Sequence, residues 1–287
     1  MQRLLTHQAN KAGPSQLCRV LGLSRSGLHA ALKRRQQRPV ITEQAVQVQA
    51  AFAASGGTYG TRRLSAALRH QGIHAGRHRV RSLMRGQGLR ACWRRKFVHT
   101  TDSRHALPVA DNLLDRQFQP EQPNTAWAGD ITYVRTDSGW LYLAVVIELY
   151  SRKVIGWACA PHMQSWLVCQ ALNMAITTRQ PAPGLLMHTD RGSQYASQAH
   201  TALLAAHQLC PSMSRKGNCW DNAVTERFFL NLKMERIWRR QYANHAEAQR
   251  DIADYIVNFY NPHRLHSSLG YLSPSQFEQL QPSPHHH

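Results

Sequence analysis

Three acidic residues stand where acids are least at home. Asp130 lies in the middle of "AWAGDITYVRT", a stretch otherwise suited to a strand, and Asp is depleted in strands. Asp190 ends the apolar run "LLMHTD" just before a turn at Gly192. Glu226 sits in "DNAVTERFFLNLKMERIW", two residues ahead of Phe228-Phe229. Desolvating an ionised carboxylate is costly unless something positive or hydrogen-bonding meets it. Taken singly, each acid has a plain explanation. Asp190 could cap its turn or pair with Arg191, Asp130 could bond Thr132 or a loop, and Glu226 could pair with Arg227 or Arg215. Taken together, an all-oxygen donor set suits Mg²⁺ or Mn²⁺. Two such ions about 4 Å apart can activate a nucleophile and stabilise the leaving oxygen of a phosphodiester. Glu148 and Asp221 compete for these roles. Glu148 precedes Tyr150-Ser151-Arg152, where holding a turn is the simpler task, and Asp221 is a natural helix N-cap.

The elements that would carry these acids begin at Trp127. The hydrophobic pattern predicts strands at "AWAGDITYVRT", "GWLYLAVVIELYSR" and "KVIGWACAP", a helix at "SWLVCQALNMAITTR", and a strand at "LLMHTD". A helix at "SQAHTALLAAHQ", a short strand at "CPSMS", the long helix holding Glu226, and another over 246–260 complete the order β-β-β-α-β-α-β-α-α. That order describes a mixed α/β domain.

Upstream the texture changes. Residues 1–110 hold 20 Lys/Arg against Glu43 and Asp102 alone, whereas residues 111–287 hold 15 against 14 acids. The net charge of +19 is therefore almost wholly N-terminal. A field of that kind attracts polyanions, and phosphate neutralisation with counterion release is its natural use. Within it, "SQLCRVLGLSRSGLHAALKRR" reads as two short helices around Gly22-Leu23-Ser24. Ser24 would be the cap, with Leu17, Val20 and Leu21 on one face and Leu28, Ala31 and Leu32 on the other, a helix-turn-helix-like pattern. "TYGTRRLSAALRHQGIHAGRHRVRSLMRGQGL" is a second helical pair, with Leu64, Leu68, Val80, Leu83 and Met84 inward. Expected DNA contacts are Arg25, Lys33, Arg34 and Arg35 in the first unit, and Arg62, Arg63, Arg77, Arg79 and Arg81 in the second. Arg94, Arg95 and Lys96 follow it. A zinc site from His70, His74, His78 and Cys92 is disfavoured, because a break at Gly72 separates the first two and the spacing is unusual for zinc. The expected division is a helix-turn-helix-like basic segment over 1–56, a second basic helical unit over 57–98, a linker over 99–124, and the α/β domain with its C-terminal helices over 125–284.

Asp130 and Asp190 leave 59 residues between them, and Asp190 and Glu226 leave 35. This spacing resembles the D, D-35-E signature of insertion-sequence transposases of the retroviral-integrase superfamily. "WAGDITYV", "LYLAVVIELYSRKVIGWA", "HTDRGSQYAS", "SRKGNCWDNAVTERFFLNLKMERI" and "YNPHRLHSSLGYLSP" are similar, in order, to blocks of the second-frame protein of the IS-three family. The resemblance covers about residues 15–277. It implies a ribonuclease H-like (integrase-type) α/β catalytic domain preceded by small all-α DNA-binding units. It implies that Asp130, Asp190 and Glu226 bind Mg²⁺ (Mn²⁺ as substitute), two ions to a site. It further implies metal-dependent DNA cleavage and strand transfer at an element's ends, without a covalent enzyme–DNA intermediate.

Lys233, seven residues after Glu226 and nearly on the same helix face, stands where a basic residue of related integrases contacts DNA. Otherwise it is a surface lysine pairing with Glu235 or water. Expected partners are element-end and target DNA, further copies of the chain, and the upstream-frame product as fusion or partner. Rival readings are another ribonuclease H-like nuclease, a transcriptional regulator, or an inactive relative. The six cysteines form no C-x-x-C pair and no long apolar run appears, so a bacterial cytoplasmic, nucleoid-associated protein without a membrane span is expected.

Overall fold

The computed structural model describes residues 14–20, 22–36, 42–92, 109–215 and 219–280, with some side chains among these left aside. Arg94, Arg95 and Lys96 lie outside the described residues, as do the side chains of Leu17, Arg34 and Arg35.

A five-stranded sheet carries the second half of the chain. Its strands are β1 (Ala126–Thr136), β2 (Gly139–Glu148), β3 (Val154–Ala160), β4 (Leu186–Thr189) and β5 (Cys210–Met213), in the order β3-β2-β1-β4-β5. β1, β2 and β3 form an antiparallel meander, while β4 runs parallel to β1 and β5 parallel to β4. The parallel pairs need crossovers, supplied by α6 (Ser165–Arg179) between β3 and β4 and α7 (Gln198–Ala206) between β4 and β5. This is the ribonuclease H-like arrangement.

Both faces of the sheet are covered, which explains why β2 reads as an unbroken apolar run. Ala144 and Val146 pack with Leu167, Leu172 and Leu204 of α6 and α7. Leu141, Leu143, Val145 and Ile147 face the other way. They meet Phe228, Phe229 and Leu232 of α8 (Ala223–Glu235) and Ile252 of α9 (His245–Asp254). α6 presses close on β3: a Cβ added at Gly156 would stand 2.1 Å from the Ala171 carbonyl oxygen. No larger residue fits there without moving the helix. The helix expected over 246–260 is α9 followed by a π-helical turn over Tyr255–Tyr260.

Upstream lie α1 (Pro14–Val20), α2 (Arg25–Gln36), α3 (Glu43–Ala54), α4 (Thr61–His70) and α5 (Arg77–Gly86). Ser24 receives the Gly27 N–H at 3.0 Å, as a cap should. Of the described side chains of the α1–α2 pair, Cys18 is buried and Val20, Leu23 and Leu32 are exposed, while Leu21 of the first expected face lies outside the described residues. α3, α4 and α5 instead share one core of Val48, Tyr59, Leu64, Leu68, Val80 and Met84. The boundary expected near residue 56 falls inside this cluster. Leu265, far along the chain, joins the same core. Tyr59 fixes it there, its hydroxyl donating to the His263 carbonyl and accepting from the Leu265 N–H.

The described part of the expected linker, 109–124, lies against the α/β domain. Ser212 Oγ accepts from the Leu113 and Leu114 N–H groups, and the Met213 N–H donates to the Asp111 carbonyl. No described helix is long and apolar enough to cross a membrane.

Candidate active site

The parallel pairing of β1 with β4 sets Ala128 beside His188. Two residues further along both strands, Asp130 and Asp190 therefore come level at the same edge. Side chains alternate between faces with period 2, so Asp130 shares the face of Ala128 and Val134, the one α8 covers. Thr225, in the first turn of α8, reaches Asp130 Oδ2 at 3.4 Å, and one residue later α8 presents Glu226. The fold thus brings the three acids from β1, β4 and α8 into one electrostatic neighbourhood.

Their charges do not suit one another. Burial first, then Asp190 and then Glu226, push the Asp130 carboxyl well above the usual carboxylate range. The Ile131 N–H and the Thr225 hydroxyl oppose this only partly. Asp190 Oδ1 accepts the Gly192 N–H at 2.9 Å, so the turn-capping role considered from sequence is also real. Among the described residues, no three His, Cys, Asp or Glu side chains stand in a ready-made metal cage. The donor set still fits a hard divalent cation: it is all oxygen, crowded, partly buried and mutually repulsive.

Sequence reasoning missed three supports of this edge. His188 is fully buried, its two ring nitrogens against Ser212 Oγ (2.9 Å) and Ser214 Oγ (3.2 Å), which ties β4 to β5. Burial lowers its pKa to about 4, so it stays neutral at ordinary pH. Tyr195 is buried, its hydroxyl without a partner among the described residues, in the field of Asp130 and Asp190, which raise its pKa after burial itself. Asn222 Nδ2 donates to the Gly129 carbonyl at 3.3 Å, tying the start of α8 to the strand position before Asp130. The "HTD", "GSQYAS" and "DNAVTE" strings contain these residues, but nothing local in them says what they touch.

The two competing acids are held elsewhere. Asp221 is not the N-cap of α8; Asn222 is, without a side-chain cap bond. Asp221 is buried and receives Arg215 and Arg116 at 2.9 Å and Asn112 at 3.1 Å. These bonds, with Arg215 foremost, hold its carboxyl far below the usual range. Glu148 receives the Tyr150 N–H, as a turn-stabilising role requires, and also the Asn124 N–H and the Trp127 indole.

Lys233 is half-buried, its Nζ 4.9 Å from the Tyr133 ring centroid. Burial lowers its pKa, and the nearby Asp130 charge works against that. It does not pair with Glu235, which is taken by Arg264 and Tyr255. Arg25, Lys33, Arg62, Arg77, Arg79 and Arg81 are exposed. Arg63 is half-buried, over the Tyr59 ring at 5.7 Å.

Residues 120–219 and 207–274 match integrase core domain models, and residues 42–97 match an HTH-like domain model. Transposase InsF for insertion sequence IS3A, from Escherichia coli strain K12, is 45% identical over 268 residues, covering 91% of this chain and 92% of that one. The chain belongs to the IS3-family transposases. The IS600 31 kDa protein of Shigella sonnei is 41% identical over 92% of this chain and 97% of its own. Among solved structures, the magnesium complex of the HTLV-2 integrase catalytic core aligns with a TM-score of 0.43 at 19% identity, covering 55% of this chain and 98% of that one. The transposase thus carries an integrase-type core homologous to DDE polynucleotidyl transferases, preceded by a helix-turn-helix-like domain.

Proposed function

We propose that this transposase cleaves DNA at the ends of its insertion sequence and transfers the freed 3′-hydroxyl to a target phosphodiester, with Asp130, Asp190 and Glu226 as the catalytic and metal-holding residues. The observation that carries this reading is the crowding of three like charges from β1, β4 and α8, with Asp130 raised by both neighbours. Such a cluster is stable as a trianion only when a cation joins it. Mg²⁺ or Mn²⁺, two ions to a site, would be held there. When bound, they supply activation of the attacking oxygen and neutralisation of charge on the departing one.

The chain's own groups do the rest. Thr225 and the Ile131 N–H orient Asp130, and the Gly192 N–H orients Asp190. Lys233 adds a positive charge beside them for the incoming phosphate. The exposed arginines of α4 and α5, with Arg25 and Lys33 of α2, grip the duplex. Arg34, Arg35, Arg94, Arg95 and Lys96 extend that basic surface by sequence alone. The catalytic core over 125–284 does the chemistry, while the helical units before it select the end. Further copies of the chain assemble on the DNA. The upstream-frame product is a partner for the exposed Val20, Leu23 and Leu32 of the first helical pair. The working place is the bacterial nucleoid.

The test is strand transfer on oligonucleotides bearing the element's ends, in Mg²⁺. Asp130→Asn, Asp190→Asn and Glu226→Gln should each abolish joining while DNA binding and folding survive, because an amide is a poor Mg²⁺ ligand. Near-normal joining by any one variant removes that residue from the site.

A further inference from the structure

A cavity of about 380 Å³ opens where the helical domain meets the α/β domain. One wall is the turn after α3, Ser55 and Gly56; the other is the end of α8 and the residues after it, Arg236, Arg239 and Arg240. The positive charge there is only partly compensated. Arg236 is bound to Asp251 and Asp254, and Arg240 to Asp251. Among the described residues Arg239 meets no carboxylate; one of its terminal nitrogens donates to the Gly56 and Glu235 carbonyl oxygens. A guanidinium has five N–H donors, so Arg239 and Arg240 both keep donors to offer. Ser55 and Thr58 do not compete, since their hydroxyls donate to the Phe52 and Ser55 carbonyls.

We propose that this cavity takes one backbone phosphodiester of the bound DNA, on Arg239 and Arg240. The reading rests on the DNA-joining function proposed above. A phosphodiester fits because it is an anion with two free oxygens for two guanidiniums, and because both walls belong to parts that must lie along the same duplex. Its place on the strand follows from α8. Glu226 and Glu235 are nine residues apart, about 14 Å along the helix axis. A duplex whose axis runs parallel to α8 from the carboxylates to the cavity therefore places about four nucleotides between them, at roughly 3.4 Å each. The contact would fix the distance between the base-reading domain and the cleavage point.

Replacing one phosphate at a time by neutral methylphosphonate along the element's end tests this. The full chain should lose about tenfold in affinity at one linkage, about four nucleotides from the cleavage point. Arg239→Ala should bind unmodified DNA about tenfold more weakly, and show no further loss at that linkage. If Arg239 merely clamps the joint, the two losses add, and the proposal fails. It fails equally if no linkage on that stretch is sensitive. Inorganic phosphate raising the melting temperature of the DNA-free chain, with no sensitive linkage on DNA, would assign the cavity to a small free anion and overturn it too. Absence of any binding to the element's ends would instead sink the underlying function.

Discussion

The two ends of α8 handle negative charge in opposite ways. At its start, Asp130, Asp190 and Glu226 crowd one another, and Asp130 is pushed upward. At its end, Glu235 is buried and fully matched: Arg264 donates at 2.7 and 2.9 Å, and the Tyr255 hydroxyl at 2.7 Å. Arg264 is 1% exposed, so neither partner has water to fall back on. Thirteen residues of one helix thus join a cluster of mutually repelling acids to an acid whose charge is matched within the protein. The difference separates the acids proposed above for chemistry from a carboxylate held by its own salt bridge. The matched end is also where the helical domain docks, through Tyr59, Arg63 and Leu265.

Breaking the matched end should have the largest effect on stability. Glu235→Ala leaves Arg264 buried and alone, which costs about 3–5 kcal/mol. Chemical denaturation of the variant should show that loss, and an unchanged midpoint would mean that Glu235 does not compensate Arg264. The crowded end should instead respond to pH and metal. A carboxyl whose folded pKa is raised holds its proton more tightly when folded. Its contribution is fully present below the unfolded value and is lost as pH rises through the folded one. Without Mg²⁺ the chain should therefore lose stability as pH climbs above the usual carboxylate range. Mg²⁺ should restore it, and Asp130→Asn should flatten the slope. Asp221 has the opposite sign: held low by Arg215 and Arg116, it contributes above the usual range and that contribution is lost on acidification. Melting curves against pH, with EDTA or Mg²⁺, read both slopes. A flat wild-type profile in EDTA would count against the crowding.

Lys233 lies on the crowded side of the comparison. Lys233→Ala should weaken productive end binding several-fold at subsaturating DNA while leaving the fold intact. Unchanged joining under those conditions would reduce Lys233 to packing on Tyr133. The smallest effect belongs to Tyr195. A buried hydroxyl without a partner costs about 1–3 kcal/mol, so Tyr195→Phe should be neutral or stabilising by about 1 kcal/mol in metal-free protein. A clear loss of stability would show that the hydroxyl has a partner.

Much of this was legible in the chain itself. Strand and helix periods, the order of elements and the odd placement of Asp130 in a strand are local properties, set by side-chain alternation and helix pitch. The charge split is likewise a matter of counting, and the spacing of the three acids carried the family resemblance. What the sequence could not decide is what lies opposite what. Asp130 and Asp190 come level only because β4 pairs parallel to β1 in one register. Asp221 looked like a cap, but Arg116, 105 residues away, makes it an ion-pair hub. Arg63 packs over the Tyr59 ring, and Tyr59 in turn is bonded to the Leu265 N–H, 206 residues away, which no local pattern announces. Local chemistry determines which element a residue joins. The partner of a buried charge is decided by packing between distant segments, because only packing removes the water that would otherwise serve.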